Sequence, residues 1–254
     1  DTIMVGGLGS AAIASVGLTN QPRFIVLALF MSLNVGITAV VSRRRGENDR
    51  QSANHTLRQS LLLILILSLL LSTLGILFAH PLLKFAGAQA DTIDNAVGYF
   101  QILMGGTFLN TLMMAINAAQ RGVGNTRLSF RTNLVANLVN VFFNYLLIGG
   151  NWGFPRLEVR GAAIATVIGY LAGFGLALSS VLRKDQFLHV SFHESFLPDK
   201  RNFSSLMNVG ASAAIEQVFM RIGFFTFAKI VAGLGTTAFA THQICMNLIN
   251  LSFS

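Results

Sequence analysis

Charge is scarce in this sequence. Of its 254 residues, 11% are Asp, Glu, Lys or Arg, whereas a soluble domain carries about 25%. With less than half the usual charge to keep a surface hydrated, the chain is not expected to be a soluble globular protein. Cysteine is nearly absent as well, and the single Cys245 excludes an intramolecular disulfide and a cysteine-clustered zinc site. The 4 prolines exclude a proline-rich disordered chain.

Long apolar runs take the place of the missing charge. A helix needs about 20 consecutive apolar residues to cross the hydrocarbon core of a bilayer. An interrupted run, Asn202–Ile230, contains Glu216, Arg221 and Lys229. The uninterrupted runs are Thr2–Pro22, Phe24–Ser42, Gln59–Ala79, Asn95–Gln120, Thr132–Pro155, Gly161–Leu182 and Ile230–Ser254. Because none alternates with a period of two, as barrel strands do, we predict an all-α integral membrane protein with eight spans.

The basic residues gather in alternate loops. In a soluble protein, the net charge of +8 would suggest nucleic-acid binding. In a membrane protein, such an excess of basic residues reflects which loops face the cytoplasm. Most of the 18 basic residues lie in the loops 43–58, 121–131 and 183–201. By the positive-inside rule these Arg-rich loops face the cytoplasm. We therefore expect a multi-pass protein of the plasma membrane that contacts the lipid bilayer and does not bind nucleic acid.

A short segment of the first apolar run recurs near the end of the chain. Gly7–Ser15 and Gly233–Thr241 share Gly-Leu-Gly and two alanines at matching positions. Six spans lie between the two copies, so both copies have the same orientation across the membrane. Parallel repeats of six spans are a known transporter architecture. The repeat therefore predicts a protein of about twelve spans, the last four of which would follow this chain.

A series of short motifs extends over the whole chain in a fixed order. They are Asp1–Gly9, Val41–Arg43, Gln120–Thr126, Gly161–Thr166, Ile215–Gln217 and Gly235–Gln243. This ordered set resembles the MATE family of multidrug and toxic-compound exporters. The resemblance implies two parallel six-helix lobes around a central cavity, with helices 1, in part, to 8 present here. Residues 1–182 would form the N-terminal lobe, 183–200 a cytoplasmic interlobe loop and 201–254 the start of the C-terminal lobe.

The resemblance also moves the first helix boundary. The absence of charge alone makes Thr2–Pro22 a complete span. The family pattern instead ends helix 1 near Gly9 and makes Ala11–Ser42 one long helix. Asp1 would then lie inside the membrane, and Arg23 would lie within a helix where the sequence gives no physical reason for it.

Glu216 is the clearest ionisable residue inside a span. A carboxylate at the centre of a bilayer costs about 2.5–3.5 kcal/mol on insertion scales, so such residues are functional by default. The alternative is a structural ion pair with Arg221 or Lys229, but residues five apart face each other poorly on a helix, and Lys229 is expected to snorkel to the outer interface. We expect Glu216 to be a proton or cation site, with Gln217 beside it lining the cavity. The resemblance matches Glu216 to a membrane-embedded glutamate of NorM-like members.

Four asparagines share one face of the fifth predicted span. Asn133, Asn137, Asn140 and Asn144 are spaced by three or four residues, which places them on a narrow stripe of a helix. Two interpretations stay open: hydrogen bonds between helices, worth about 0.6 kcal/mol each, or the lining of a cavity.

The resemblance assigns roles to part of this stripe. Asn140 and Asn144 match positions that accompany the carboxylate matched by Asp1, with Thr166 on the next helix as a further partner. These four residues would bind the coupling ion, Na⁺ or H⁺. Some family members carry Asp at the position of Asn144, so the loss of this charge leaves the ion and its stoichiometry open.

Small residues recur every four positions in the sixth predicted span. Gly161, Ala165, Gly169 and Gly173 form one ridge. Such ridges let helix backbones approach closely in membranes. We predict helix packing as the role of this ridge.

The function expected from these features is secondary antiport. A monomer would export small organic cations in exchange for Na⁺ or H⁺, without a cofactor and without enzymatic activity. One alternative is a flippase for lipid-linked sugars, which would need several Arg or Lys in its cavity for pyrophosphate. A second is an intramembrane enzyme, but no H-E-x-x-H and no G-x-S-x-G motif occurs.

Overall fold

A computed structural model describes residues 2–86, 88, 92–183, 186–190 and 200–233 of the chain. In these ranges the regular structure is helical, with no strand. Single 3₁₀ turns occur at Gly6–Leu8 and Asn151–Gly153. The helices are α1 (Thr2–Val5), α2 (Ser10–Gly46), α3 (Arg50–Leu77), α4 (Ala79–Phe85), α5 (Ile93–Gly122), α6 (Thr126–Gly149), α7 (Glu158–Leu182) and α8 (Lys200–Gly233).

Five of these helices, α2, α3, α5, α6 and α7, are long and apolar enough to cross a membrane. The all-α membrane class predicted from composition is therefore confirmed. The interrupted run Asn202–Ile230 forms α8, whose 34 residues extend about 51 Å at 1.5 Å per residue. The predicted eighth span, Ile230–Ser254, lies outside the described residues after its first turn.

The first predicted span, Thr2–Pro22, is wrong. The chain breaks at Gly9, which has a φ of 108°, and α2 then continues without interruption through Pro22. A charge-free run cannot reveal such a break, because Gly9 is as apolar as its neighbours and differs only in its backbone freedom. The long second helix implied by the family resemblance is the one that forms.

The helices alternate in direction. Thr38 Oγ1 donates to the carbonyl of Ala118 and Ser42 Oγ donates to the carbonyl of Gly122, each at 3.0 Å. Because both pairs are separated by 80 residues, α2 and α5 run parallel. With short connections between successive helices, α2, α5 and α7 run towards the Arg-rich end of the bundle, and α3 and α6 run away from it.

The ridge of small residues on α7 packs against α6. A Cβ added to Gly161 would lie 2.6 Å from the carbonyl oxygen of Leu147, and one added to Gly169 would lie 2.6 Å from that of Ala136. Atoms cannot approach this closely, so only glycine allows the two backbones to meet here. The packing role predicted for the ridge is confirmed.

The Arg-rich end is closed by residues 186–190, which fold back onto α3. Arg50 donates to the carbonyls of Gln186 and Phe187 at 2.6 and 3.1 Å, and the amide of His189 donates to Asn54 Oδ1 at 2.8 Å. On the same side, α8 packs on α2 at Gly36, where an added Cβ would lie 2.8 Å from the carbonyl oxygen of Leu206. The division of the chain into two lobes stays a prediction.

Candidate functional site

Three of the predicted site residues meet between α6 and α7. Asn144 Nδ2 donates to Asn140 Oδ1 at 3.2 Å, and Asn140 Nδ2 donates to Thr166 Oγ1 at 3.0 Å. Thr166 Oγ1 in turn donates to the carbonyl of Ala162 at 2.9 Å, within its own helix. The four groups form one directional chain of hydrogen bonds, which we call the amide chain.

The amide chain is shielded from solvent. Asn144 is fully buried and Thr166 is 7% exposed, while Asn140 is half-buried. Buried amides are costly unless they are hydrogen-bonded, and here the Nδ2 groups of Asn144 and Asn140 each donate to the next member of the chain. Side-chain amide and hydroxyl oxygens are the ligand type that hard cations such as Na⁺ prefer. Each of these oxygens has two lone pairs, so an oxygen that accepts a hydrogen bond can also face a cation.

The glycine ridge of α7 sets the width of this site. Gly169 lies three residues after Thr166, and a Cβ added to Gly169 would lie 3.1 Å from the Cβ of Asn140. The absence of a side chain at Gly169 therefore brings Asn140 within hydrogen-bonding reach of Thr166. Packing and site geometry depend on the same contact.

The asparagine stripe is divided into two halves. Asn140 and Asn144 lie in the half that α7 covers, whereas Asn133 and Asn137 are exposed. The exposed pair makes no hydrogen bond within the described part of the chain. Hydrogen bonding between helices therefore accounts for the buried half, and a cavity-lining role stays a prediction for the exposed half.

Arg23 has a partner that sequence reasoning missed. Its Nη2 donates to the hydroxyl of Tyr170 on α7, and its guanidinium carbon lies 6.0 Å from the centre of the Tyr170 ring, a distance typical of a cation–π contact. Tyr170 follows Thr166 by four residues, one helical turn, so both side chains lie on one face of α7. The guanidinium is thus held at Tyr170, which lies one helical turn from Thr166 along α7.

Glu216 and Gln217 lie elsewhere in the bundle. Glu216 is exposed on α8 and makes no hydrogen bond or ion pair with any described residue, and Gln217 is half-buried. The side chains of Arg221 and Lys229 fall outside the described set, as does Asp1. The structure therefore joins Asn140, Asn144 and Thr166, and it leaves the roles of Asp1 and Glu216 as predictions.

Comparisons with known proteins agree on one family. The MatE family model matches residues 1–146, more than half of the chain. The probable multidrug resistance protein NorM of Thermotoga maritima is 27% identical over the whole chain, which covers 54% of that protein. The FAD transporter of Shewanella oneidensis is 28% identical over 94% of this chain, and the match covers 53% of that transporter. The chain thus spans about half the length of the relatives it matches.

The fold matches solved structures equally well. A crystal structure of MATE in the bent conformation superposes with a TM-score of 0.88 at 25% identity, covering 98% of this chain and 55% of that one. A MOP superfamily transporter from Pyrococcus furiosus, described as having a binding pocket of reversed polarity, shares the fold with a TM-score of 0.86 at 23% identity. The chain therefore belongs to the MATE family, whose members are multi-pass membrane transporters and not enzymes.

Proposed function

We propose that the protein containing this chain is a secondary antiporter that exports small organic cations in exchange for Na⁺ or H⁺. The observation that carries this proposal is the buried amide chain of Asn144, Asn140 and Thr166 between α6 and α7. The names of the relatives, multidrug resistance proteins and an FAD transporter, support small-molecule export. They do not favour the flippase for lipid-linked sugars.

The amide chain supplies neutral oxygens but no negative charge. A cation bound only by amide and hydroxyl oxygens is held more weakly than one that also meets a carboxylate. Asp1, matched by resemblance to the carboxylate of helix 1, would supply that charge. Binding would then draw α1 towards α6 and α7, and release of the cation would reverse the movement. Such a shift between two states is the step that antiport requires.

Arg23 adds a positive charge held at Tyr170, one helical turn from Thr166 along α7. It opposes cation binding there and so keeps the affinity for the coupling ion low enough for release. Because cargo and coupling ion are both cations, the same charge repels both of them. Export in this arrangement follows from exchange, because an entering cation and a cationic cargo repel each other and cannot both stay bound beside a guanidinium.

The proposal is tested by Thr166→Val in the full-length protein, reconstituted in vesicles. The variant removes the hydroxyl that accepts from Asn140 and leaves the half-buried amide donor of Asn140 without its acceptor, a change worth about 1 kcal/mol. We expect the concentration of Na⁺ or H⁺ that gives half-maximal export to rise about tenfold.

Thr73→Val is the matched control, because the Thr73 hydroxyl also donates to a carbonyl four residues earlier but is exposed on α3. It should leave ion dependence unchanged. Equal effects of the two variants would contradict the assignment of the amide chain. Glu216→Gln and Asp1→Asn test the remaining predicted positions in the same assay, and undiminished export by either variant would remove that residue from the site.

A further inference from the structure

A polar pocket lies at the Arg-rich end of α6 and α7, away from the amide chain. Its volume is about 390 Å³. The first turns of α6 and the last turns of α7 form its walls, and residue 186 closes one side. The polar side chains that line it are Asn125, Arg127, Arg131, Ser179, Ser180, Arg183 and Gln186.

The three arginines of this pocket have no partner among the residues that the structure describes. Neither Arg127, Arg131 nor Arg183 makes an ion pair or a hydrogen bond with any described residue. Other arginines at the same end are engaged: those at 43 and 44 pair with Glu47 at 2.9 and 3.1 Å. The pocket therefore brings together three guanidinium groups that no described carboxylate neutralises.

The pocket continues into an apolar face of α6. Residues at intervals of three or four from Arg127 and Arg131 are Leu134, Leu138 and Phe142, so they share one face of the helix. These three side chains are 45%, 61% and 49% exposed. The surface is cationic at the membrane boundary and apolar from there into the bilayer. It therefore complements a molecule that has an anionic group at the boundary and an apolar chain inside the bilayer.

We propose that this pocket binds the headgroup of an anionic phospholipid, with an acyl chain along the apolar face of α6. Arginine forms paired hydrogen bonds with phosphate oxygens, and basic pockets between membrane helices on the cytoplasmic side are suited to anionic headgroups. The positive-inside rule places this end in the cytoplasmic leaflet. A free phosphate would use the arginines but not Leu134 or Leu138, so the lipid accounts for the whole surface.

The test uses the full-length protein in nanodiscs of phosphatidylcholine with increasing phosphatidylglycerol, and it counts retained lipid by native mass spectrometry. Each arginine near an anionic surface contributes about 1 kcal/mol, so Arg131→Gln with Arg183→Gln should weaken phosphatidylglycerol retention about 30-fold. The control double variant, Arg43→Gln with Arg44→Gln, removes the same charge from arginines that already have Glu47 as a partner. It should retain the lipid.

Three outcomes overturn the proposal: equal loss of lipid in both double variants, retention unaffected by the pocket variant, or displacement of phosphatidylglycerol by inorganic phosphate alone. If the pocket variant fails to fold, the wild-type protein still provides a test. A photoreactive phosphatidylglycerol should label peptides that contain residues 127–138 or 176–183, and labelling confined to other peptides contradicts the site.

Discussion

Replacing Gly169 by alanine should damage both the fold and the site. The added Cβ would lie 2.6 Å from the carbonyl oxygen of Ala136, whereas Cβ contacts under 3.0 Å essentially never occur. The backbones of α6 and α7 must therefore separate by at least 0.4 Å at this level. Added to the 3.0 Å between Asn140 Nδ2 and Thr166 Oγ1, that movement gives about 3.4 Å, outside the usual range of hydrogen bonds.

The size of the effect follows from the packing. Forcing an extra methyl group into a well-packed interface costs about 1–3 kcal/mol. Alanine also favours a helix over glycine by about 0.5–1 kcal/mol. Gly175→Ala isolates this second contribution, because a Cβ at Gly175 on the same helix meets nothing within 4 Å. The difference in unfolding free energy between the two variants should therefore be about 1–3 kcal/mol.

Two measurements on the purified full-length protein check this prediction. Gly169→Ala should unfold at a lower temperature than Gly175→Ala. Export from vesicles should require a higher cation concentration in Gly169→Ala alone. If the two variants unfold at the same temperature and export with the same ion dependence, the reasoning that the ridge sets the site is refuted. Lower stability with unchanged ion dependence would preserve the packing role and refute the link to the amide chain.

Three further predictions concern charge. Asn144→Asp adds a carboxylate to the amide chain, so the cation concentration for half-maximal export should fall about tenfold, as measured in vesicles. Arg23→Gln removes the neighbouring positive charge and should also lower that concentration, and an increase would contradict a repulsive role. Hydrogen bonds from Ser52 hold the pKa of Asp49 below its usual range. The resulting stabilisation of α3 is therefore complete above about pH 4 and is lost as pH falls through the lowered pKa. Hydrogen exchange in the first turn of α3 should show this loss, and Asp49→Asn should abolish its pH dependence.

The membrane fold could be predicted from the sequence because hydrophobic length alone determines which segments can span. The span at Asn95–Gln120 corresponds closely to α5, and the span at Gln59–Ala79 corresponds to the C-terminal two thirds of α3. The first boundary could not be found in this way. A break at Gly9 depends on one backbone angle, and hydropathy contains no information about backbone angles.

Part of the site could be predicted for a similar reason. Helical periodicity places Asn140 and Asn144 on one face, and periodicity holds before any helix packs. Which half of the stripe becomes buried depends on where α7 crosses α6, and this is a tertiary property. The contact between Arg23 and Tyr170 joins residues 147 positions apart, so no local pattern could indicate it.

The ridge of small residues shows how helix packing and the geometry of the amide chain depend on each other between α6 and α7. From the sequence alone, helix packing is enough to explain Gly169, because small residues recur in many membrane helices. In the fold, the absence of a side chain at the same residue lets Asn140 Nδ2 lie 3.0 Å from Thr166 Oγ1. The buried amide of Asn144 in turn depends on Asn140 as its hydrogen-bond acceptor. A site built from neutral oxygens has little electrostatic attraction of its own, so its affinity depends on how closely those oxygens are held. Close backbone contact between α6 and α7 is therefore the condition under which an amide chain without a carboxylate can contribute to a cation site at all.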